Sequence, residues 1–196
     1  RFLLKEGNEI ISQPIKGTSR RGLNAQEDVL LAKKLSQSSK DISENTMIVD
    51  LVRNDLSITA KPASVKVEKL CGVYTFSHVH QMISTISSTL KEKNNFVDVL
   101  STTFPMGSMT GAPKIKAMQL IEKYEESKRD VYSGSVGYIT PKGDFDFNVI
   151  IRSLLYDSEK KHLSFTVGGA IVSKSEAINE YEECLIKAKP IFQIFS

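Results

Sequence analysis

Cysteine is scarce: the 196 residues contain only Cys71 and Cys184. The two are far apart and lack metal-ligand spacing, which argues against a disulfide framework and for a reducing, cytoplasmic compartment. A block of one charge is also missing. The 26 basic and 23 acidic residues interleave to a net charge of +3. Pairs such as Lys33-Lys34 and Lys160-Lys161 are too short to mark a nucleic-acid or anionic-membrane surface, so neither partner is expected. No apolar run approaches the ~20 residues that span a bilayer. The opening residues, Arg1 to Lys5, carry no secretory signal and no initiator Met, and they read as a start inside a longer chain. Repeats and low-complexity linkers are absent.

What is present suits one globular domain with a real core: 40% hydrophobic and 25% charged residues. Residues 2–15 hold short β-prone pieces closed by Pro14. The spacing of Val29, Leu30, Leu31 and Leu35 predicts a helix over 26–35. Residues 47–56 are apolar but ambiguous between strand and helix, because Asp50, Arg53 and Asp55 interrupt them. Residues 65–76 suggest a strand pair broken at Gly72. Met82, Ile83, Ile86 and Leu90 predict a helix over 80–90, and Ala117, Met118, Ile121 and Tyr124 predict one from Pro113 to Tyr124. Strands are expected at 133–140, 146–156 and 162–172, and a final helix over about 175–189, stopped by Pro190. Strands and helices come in mixed runs without strict alternation, which favours α+β.

Glu176, Glu180, Glu183 and Lys187 share one face of that final helix. Asp41 and Glu44 repeat the three-residue spacing. Such carboxylates suit magnesium, a hard cation bound by oxygen, though on spacing alone a solvated acidic face is the plainer reading. Lys16 sits between the conformational lock of Pro14 and the permissive Gly17, close to Arg20 and Arg21. Nearby cations or desolvation would favour its neutral, nucleophilic form; an exposed turn lysine is the plainer reading. Residues 104–114 form a glycine-containing loop running into a helix, where free N–H groups suit a carboxylate or phosphate. Gly168 and Gly169 allow close approach of backbone to a ligand, or of a neighbouring side chain. Arg152, in an otherwise apolar strand, would have to meet an anion, either structural or bound. Tyr132, at a strand entrance, could serve a site or pack.

Five stretches, taken in order, carry a resemblance that covers essentially the whole chain. They are Pro14-Ile15-Lys16-Gly17-Thr18, residues 47–55 from Met47 to Asp55, residues 107–118, Ser135-Val136-Gly137-Tyr138, and residues 180–187. Together they resemble the chorismate-utilising enzymes, a family that includes anthranilate, aminodeoxychorismate, isochorismate and salicylate synthases. The resemblance implies an α+β fold of two packed antiparallel sheets with outer helices. Residues 1–196 would be the C-terminal portion of one chorismate-binding catalytic domain, incomplete at its N-terminus. It implies Mg2+ bound by Glu44 and Glu183, with Asp41 and Glu180 acting through water. Tyr132 and Arg152 would contact the enolpyruvyl carboxylate. Ser108, Gly111, Gly168, Gly169, Ala170 and Lys187 would complete the substrate site.

Lys16 separates the branches. Relatives similar to anthranilate synthase usually carry alanine there, whereas lysine is the aminodeoxychorismate synthase form. The implied chemistry makes Lys16 and Thr18 catalytic. Lys16 attacks C2 of chorismate as the 4-hydroxyl leaves, and ammonia from a fused or separate glutamine amidotransferase then attacks C4 and expels the lysine. The product would be 4-amino-4-deoxychorismate, on the way to p-aminobenzoate and folate. Anthranilate synthase component I is the nearest alternative, and a non-catalytic regulatory domain of the same fold is another. The chain departs from the family at Gln81, where a histidine is common, with His80 one position off. The family's Ser-Pro-Glu, which carries the expected general acid, would fall just before Arg1.

Overall fold

The computed structural model describes residues 1–173 and 175–195. They divide into two compact units, Arg1–Glu126 with Ser135–Asn148, and Ser127–Gly134 with Val149–Ser196. The first unit carries a seven-stranded sheet and four helices. Its strands are β1 (Leu3–Glu6), β2 (Glu9–Ser12), β3 (Ile15–Arg20), β4 (Lys66–Thr75), β5 (Val79–Thr89), β6 (Ser135–Ile139) and β7 (Phe145–Val149). Its helices are α1 (Ala25–Ser36), α2 (Ser39–Thr59), α3 (Phe96–Thr103) and α4 (Lys114–Tyr124). The second unit holds a small antiparallel pair, β8 (Leu155–Asp157) and β9 (His162–Ser164), and α5 (Ala177–Phe192). Antiparallel sheets with separate helices make the chain α+β, as expected. Among the described residues no helix is long and apolar enough to cross a membrane, and both cysteines are free thiols.

The long strand β5 organises the sheet. Antiparallel β4 runs along one edge, from Lys66↔Ser87 to Thr75↔His80. The opposite edge is shared, with β3 paired to residues 79–83 and β2 to residues 86–89. Pro14 lies between them and cannot donate to a ladder, but its carbonyl accepts from Ser84 N at 3.2 Å. Along β5, His80, Met82, Ser84 and Ile86 are buried in alternation, which turns one set of side chains toward the helices. On α2, Asn45, Ile48, Val49, Asp55, Leu56 and Thr59 form the buried stripe that meets them. Leu3, Ile10, Val99 and Phe145 complete this core, each contributing ~1.5–3 kcal/mol by removal from water.

Several expectations are corrected. The helix expected over 80–90 is instead the strand β5, which ends at Thr89. Two of the inward positions of β5, His80 and Ser84, are polar, so the remaining apolar residues mimic helical spacing. The ambiguous stretch 47–56 is the middle of the 21-residue α2. Residues 66–75 are one strand rather than two, with register shifts on either side of Lys69 and Cys71 at φ +52°. The strand expected over 146–156 stops at Val149, and Arg152 has φ +53°. That left-handed conformation interrupts a ladder, and the guanidinium is exposed to water instead of facing a core. The strand expected over 162–172 ends at Ser164, leaving Gly168-Gly169-Ala170 irregular. Pro190 lies inside the last turn of α5, which runs two residues further to Phe192. Pro113 caps α4 and does not open it. The unforeseen α3 starts at a capping box of Asn95 and Asp98.

Candidate functional site

Lys16 lies at a break in the pairing of β3 with β5. Ile15 pairs with Ile83 and Thr18 with Gln81, so Lys16 and Gly17 together face Met82. This is a β-bulge, and Gly17 supplies its positive φ of +90°. Ile15 lines the open face of the sheet, so alternation carries Lys16 to the face that α2 covers, where it is half-buried. A β-carbon at Gly17 would come within 3.0 Å of the Asp41 carboxylate oxygen. The bulge therefore brings the lysine's backbone against the start of α2. Thr18 is exposed on the strand beside Gln81.

Asp41 and Glu44 occupy the first turns of α2, both half-buried. Ser38 caps the helix by accepting from Asp41 N at 3.3 Å. Further along, Ser43, Thr46, Met47, Asp50, Leu51 and Ala112 line an open groove of about 570 Å³. Ser108 sits on a short 3-10 turn, Gly107–Met109. A β-carbon on Gly107 would meet the Leu51 side chain at 3.0 Å, and Gly111 has φ +152°, so this loop lies close on α2. Its lysine is committed: Lys114 Nζ donates to Asp55 at 2.6 Å and to the Thr103 carbonyl at 3.1 Å. Burial pushes the Asp55 carboxyl above the ordinary carboxylate range, against the opposing pull of Lys114. The same loop thus offers backbone and hydroxyl groups rather than a cation to an anion.

The second unit gathers most of the remaining candidates. Lys187 Nζ donates to the Gly168 carbonyl at 3.0 Å and pairs with Glu183 at 2.6 Å. A β-carbon on Gly168 would lie 2.8 Å from the Tyr132 hydroxyl, and one on Gly169 would lie 3.2 Å from a Glu180 oxygen. Glu180 accepts from the Ser175 hydroxyl at 2.6 Å, and that hydroxyl receives Val172 N at 3.0 Å. Tyr132, Gly168, Gly169, Glu180, Glu183 and Lys187 therefore form one constellation. Ala170 is exposed beside it in sequence, and Arg152 is exposed at its left-handed turn. Glu176 caps α5 outside the helical face it was expected to share.

The carboxylates fall as two pairs, Asp41 and Glu44 on α2, Glu180 and Glu183 on α5. Within neither unit do three His, Cys, Asp or Glu side chains among the described residues gather as a metal site. The donors are nonetheless all hard oxygens, the chemistry that magnesium takes, and it needs only one or two carboxylates besides water. Sequence reasoning missed Asn45, Ser84 and Ser175. Polar residues at inward positions of a strand or helix were the available signal for the first two; Ser175 had none.

The family described as chorismate binding enzyme matches residues 1–193. The chain is 42% identical over 183 residues to an aminodeoxychorismate synthase of Streptomyces griseus, covering 93% of this chain and 25% of that protein. It is 40% identical over 190 residues to anthranilate synthase component 1 of Aquifex aeolicus, covering 97% of this chain and 38% of the relative. Among solved structures, anthranilate synthase component I from Streptococcus pneumoniae superposes with a TM-score of 0.80 at 34% identity, over 96% of this chain and 41% of that one. The chain thus spans between a quarter and about two fifths of the length of these proteins.

Proposed function

We propose, for a chain that belongs to the chorismate binding enzymes, that it serves the amination of chorismate at C4 to give 4-amino-4-deoxychorismate. The observation that carries this reading is Lys16, half-buried at a bulge of β3 under α2. Similarity alone does not divide the branches, since relatives with both names match at 40–42% identity. The neutral amine of Lys16 forms a bond to C2 while the ring electrons shift and the 4-hydroxyl departs. Ammonia then bonds to C4, the electrons shift back, and the lysine leaves. Two displacements of lower barrier replace one.

Glu44 and Glu183 would hold magnesium, with Asp41 and Glu180 bound through water. When bound, the metal supplies a positive charge for the ring carboxylate. Tyr132 and Arg152 would take the enolpyruvyl carboxylate, and the backbone at Gly168–Ala170 would seat the ring beside Lys187. Gly111 and Ser108 would supply further polar contacts, and Thr18 a hydroxyl on the same strand as the lysine. Ammonia would come from a glutamine amidotransferase, fused or separate, in a pathway to p-aminobenzoate and folate.

The test is Lys16→Ala in the full chain, assayed with chorismate, ammonia and Mg2+, with products separated by chromatography. C4 amination should fall at least about 100-fold, as for loss of a covalent nucleophile, and intact-mass analysis of the parent should reveal a lysine adduct. Anthranilate and pyruvate as products would transfer the chain to the anthranilate branch, and undiminished C4 amination by the variant would remove the covalent lysine from the mechanism.

A further inference from the structure

Apolar packing fixes a helix against a sheet only loosely in rotation, because the hydrophobic effect has no direction. A buried hydrogen bond has one, and breaking it leaves a desolvated group without a partner. At the seam of α2 and the sheet lies such a bond. Asn45 directly follows Glu44 and is 0% exposed; Ser84, at an inward position of β5, is also 0% exposed. The Ser84 hydroxyl donates to the Asn45 side-chain oxygen. The Asn45 amide donates to the Met82 carbonyl at 3.4 Å, and the Cys71 thiol approaches the same Asn45 oxygen at 3.7 Å. Cys71 N donates to the Ser84 oxygen at 2.8 Å, from the left-handed residue that marks the irregular part of β4. One hydroxyl therefore ties β4, β5 and α2 together.

We infer that Ser84, acting through Asn45, is a positioning residue that sets the rotation of α2 and thereby the placement of Asp41 and Glu44. Successive helical residues are ~100° apart, so the side chain next to Asn45 is turned well away from the sheet while Asn45 stays bonded. A turn of α2 by one residue would bring Glu44 to the Ser84 hydroxyl and carry the Asn45 amide away from it. Gly17 supports the same rotation, since a β-carbon there would press on the Asp41 side chain at 3.0 Å. The inference rests on the reading of Asp41 and Glu44 as magnesium-binding groups.

The experiment measures Mn2+ binding to the full chain by electron paramagnetic resonance and calorimetry. It compares the parent with Ser84→Ala and with Ser88→Ala, a serine equally buried on β5. Ser84→Ala should weaken Mn2+ binding about tenfold, with turnover recovered at saturating Mg2+, while Ser88→Ala stays within twofold of the parent. Should the alanine variant not accumulate, Ser84→Cys keeps a weaker donor and acceptor in place of the hydroxyl and should shift affinity in the same direction. Unchanged affinity at Ser84, or an equal loss at Ser88, overturns the positioning role alone. A parent that binds no Mn2+ overturns the magnesium reading, and the positioning role with it.

Discussion

A β-carbon placed on Gly168 would stand 2.8 Å from the Tyr132 oxygen but 3.7 Å from the ring carbon bearing it. The first distance is a clash and the second an ordinary contact. Gly168→Ala should therefore cost about 1–2 kcal/mol of stability as an overpacked contact, and most of that cost should vanish in the Tyr132→Phe background. A double-mutant cycle by urea unfolding measures the coupling; strictly additive effects would mean that the ring and the glycine do not meet. At this scale the sequence was informative wherever chemistry is carried by residue type: a glycine needed for space, a lysine beside a bulge-forming glycine. It was silent on Arg152, whose strand neighbours in the pattern concealed a left-handed turn.

Helix α1 is held to the sheet by a charged clasp at its first turn. Asp28 accepts from Arg21 Nε and Nη2, both at 2.8 Å, and from Gly22 N at 2.7 Å. It also meets His80 Nε2 at 2.9 Å, and the other ring nitrogen faces the Thr75 hydroxyl. Arg21, then the Gly22 amide, then His80 hold the Asp28 carboxyl far below its ordinary range. Glu27 is lowered as well, by Leu23 N and then by Arg20. A carboxyl with a depressed folded pKa contributes stability above its unfolded value, about 3.9, and that contribution is lost as pH falls toward the folded one. The urea midpoint should thus decline from about pH 4 downward, and Asp28→Asn should flatten the decline. Equal slopes for parent and variant would place the acid sensitivity elsewhere. The elements also show why β5 escaped the sequence. His80 and Ser84 are spent on hydrogen bonds at positions where apolar residues would have announced a period of two, and what remained counted as a helix. The regular α4, with few such obligations, was legible almost to the residue.

Across the whole chain, five stretches in family order were enough to foresee the α+β class. How the candidate residues divide between the two units was not foreseeable, because spacing along a sequence does not say which side chains gather. Ligand linkage gives the test at this scale. If Glu44 binds magnesium, Mg2+ at a hundred times its dissociation constant should raise unfolding free energy by about 2.7 kcal/mol. Chelation should remove that gain, and Glu44→Gln should show little of it. A melting curve of the full chain indifferent to Mg2+ would leave the carboxylates as surface groups.

Because β2 and β3 dock on successive stretches of one edge of β5, the number of residues between Ser12 and Ile15 acts as a chemical variable. One residue more or fewer there would slide β3 by a single step and exchange its two faces. The side chain of Lys16 would then turn to the open face of the sheet, with every side chain still present and none of them altered. Lengthening the turn between Thr75 and Val79 carries no such penalty, since both ends of that hairpin keep their partners. Variation in length is therefore tolerable at one end of β5 and forbidden in the middle of its opposite edge.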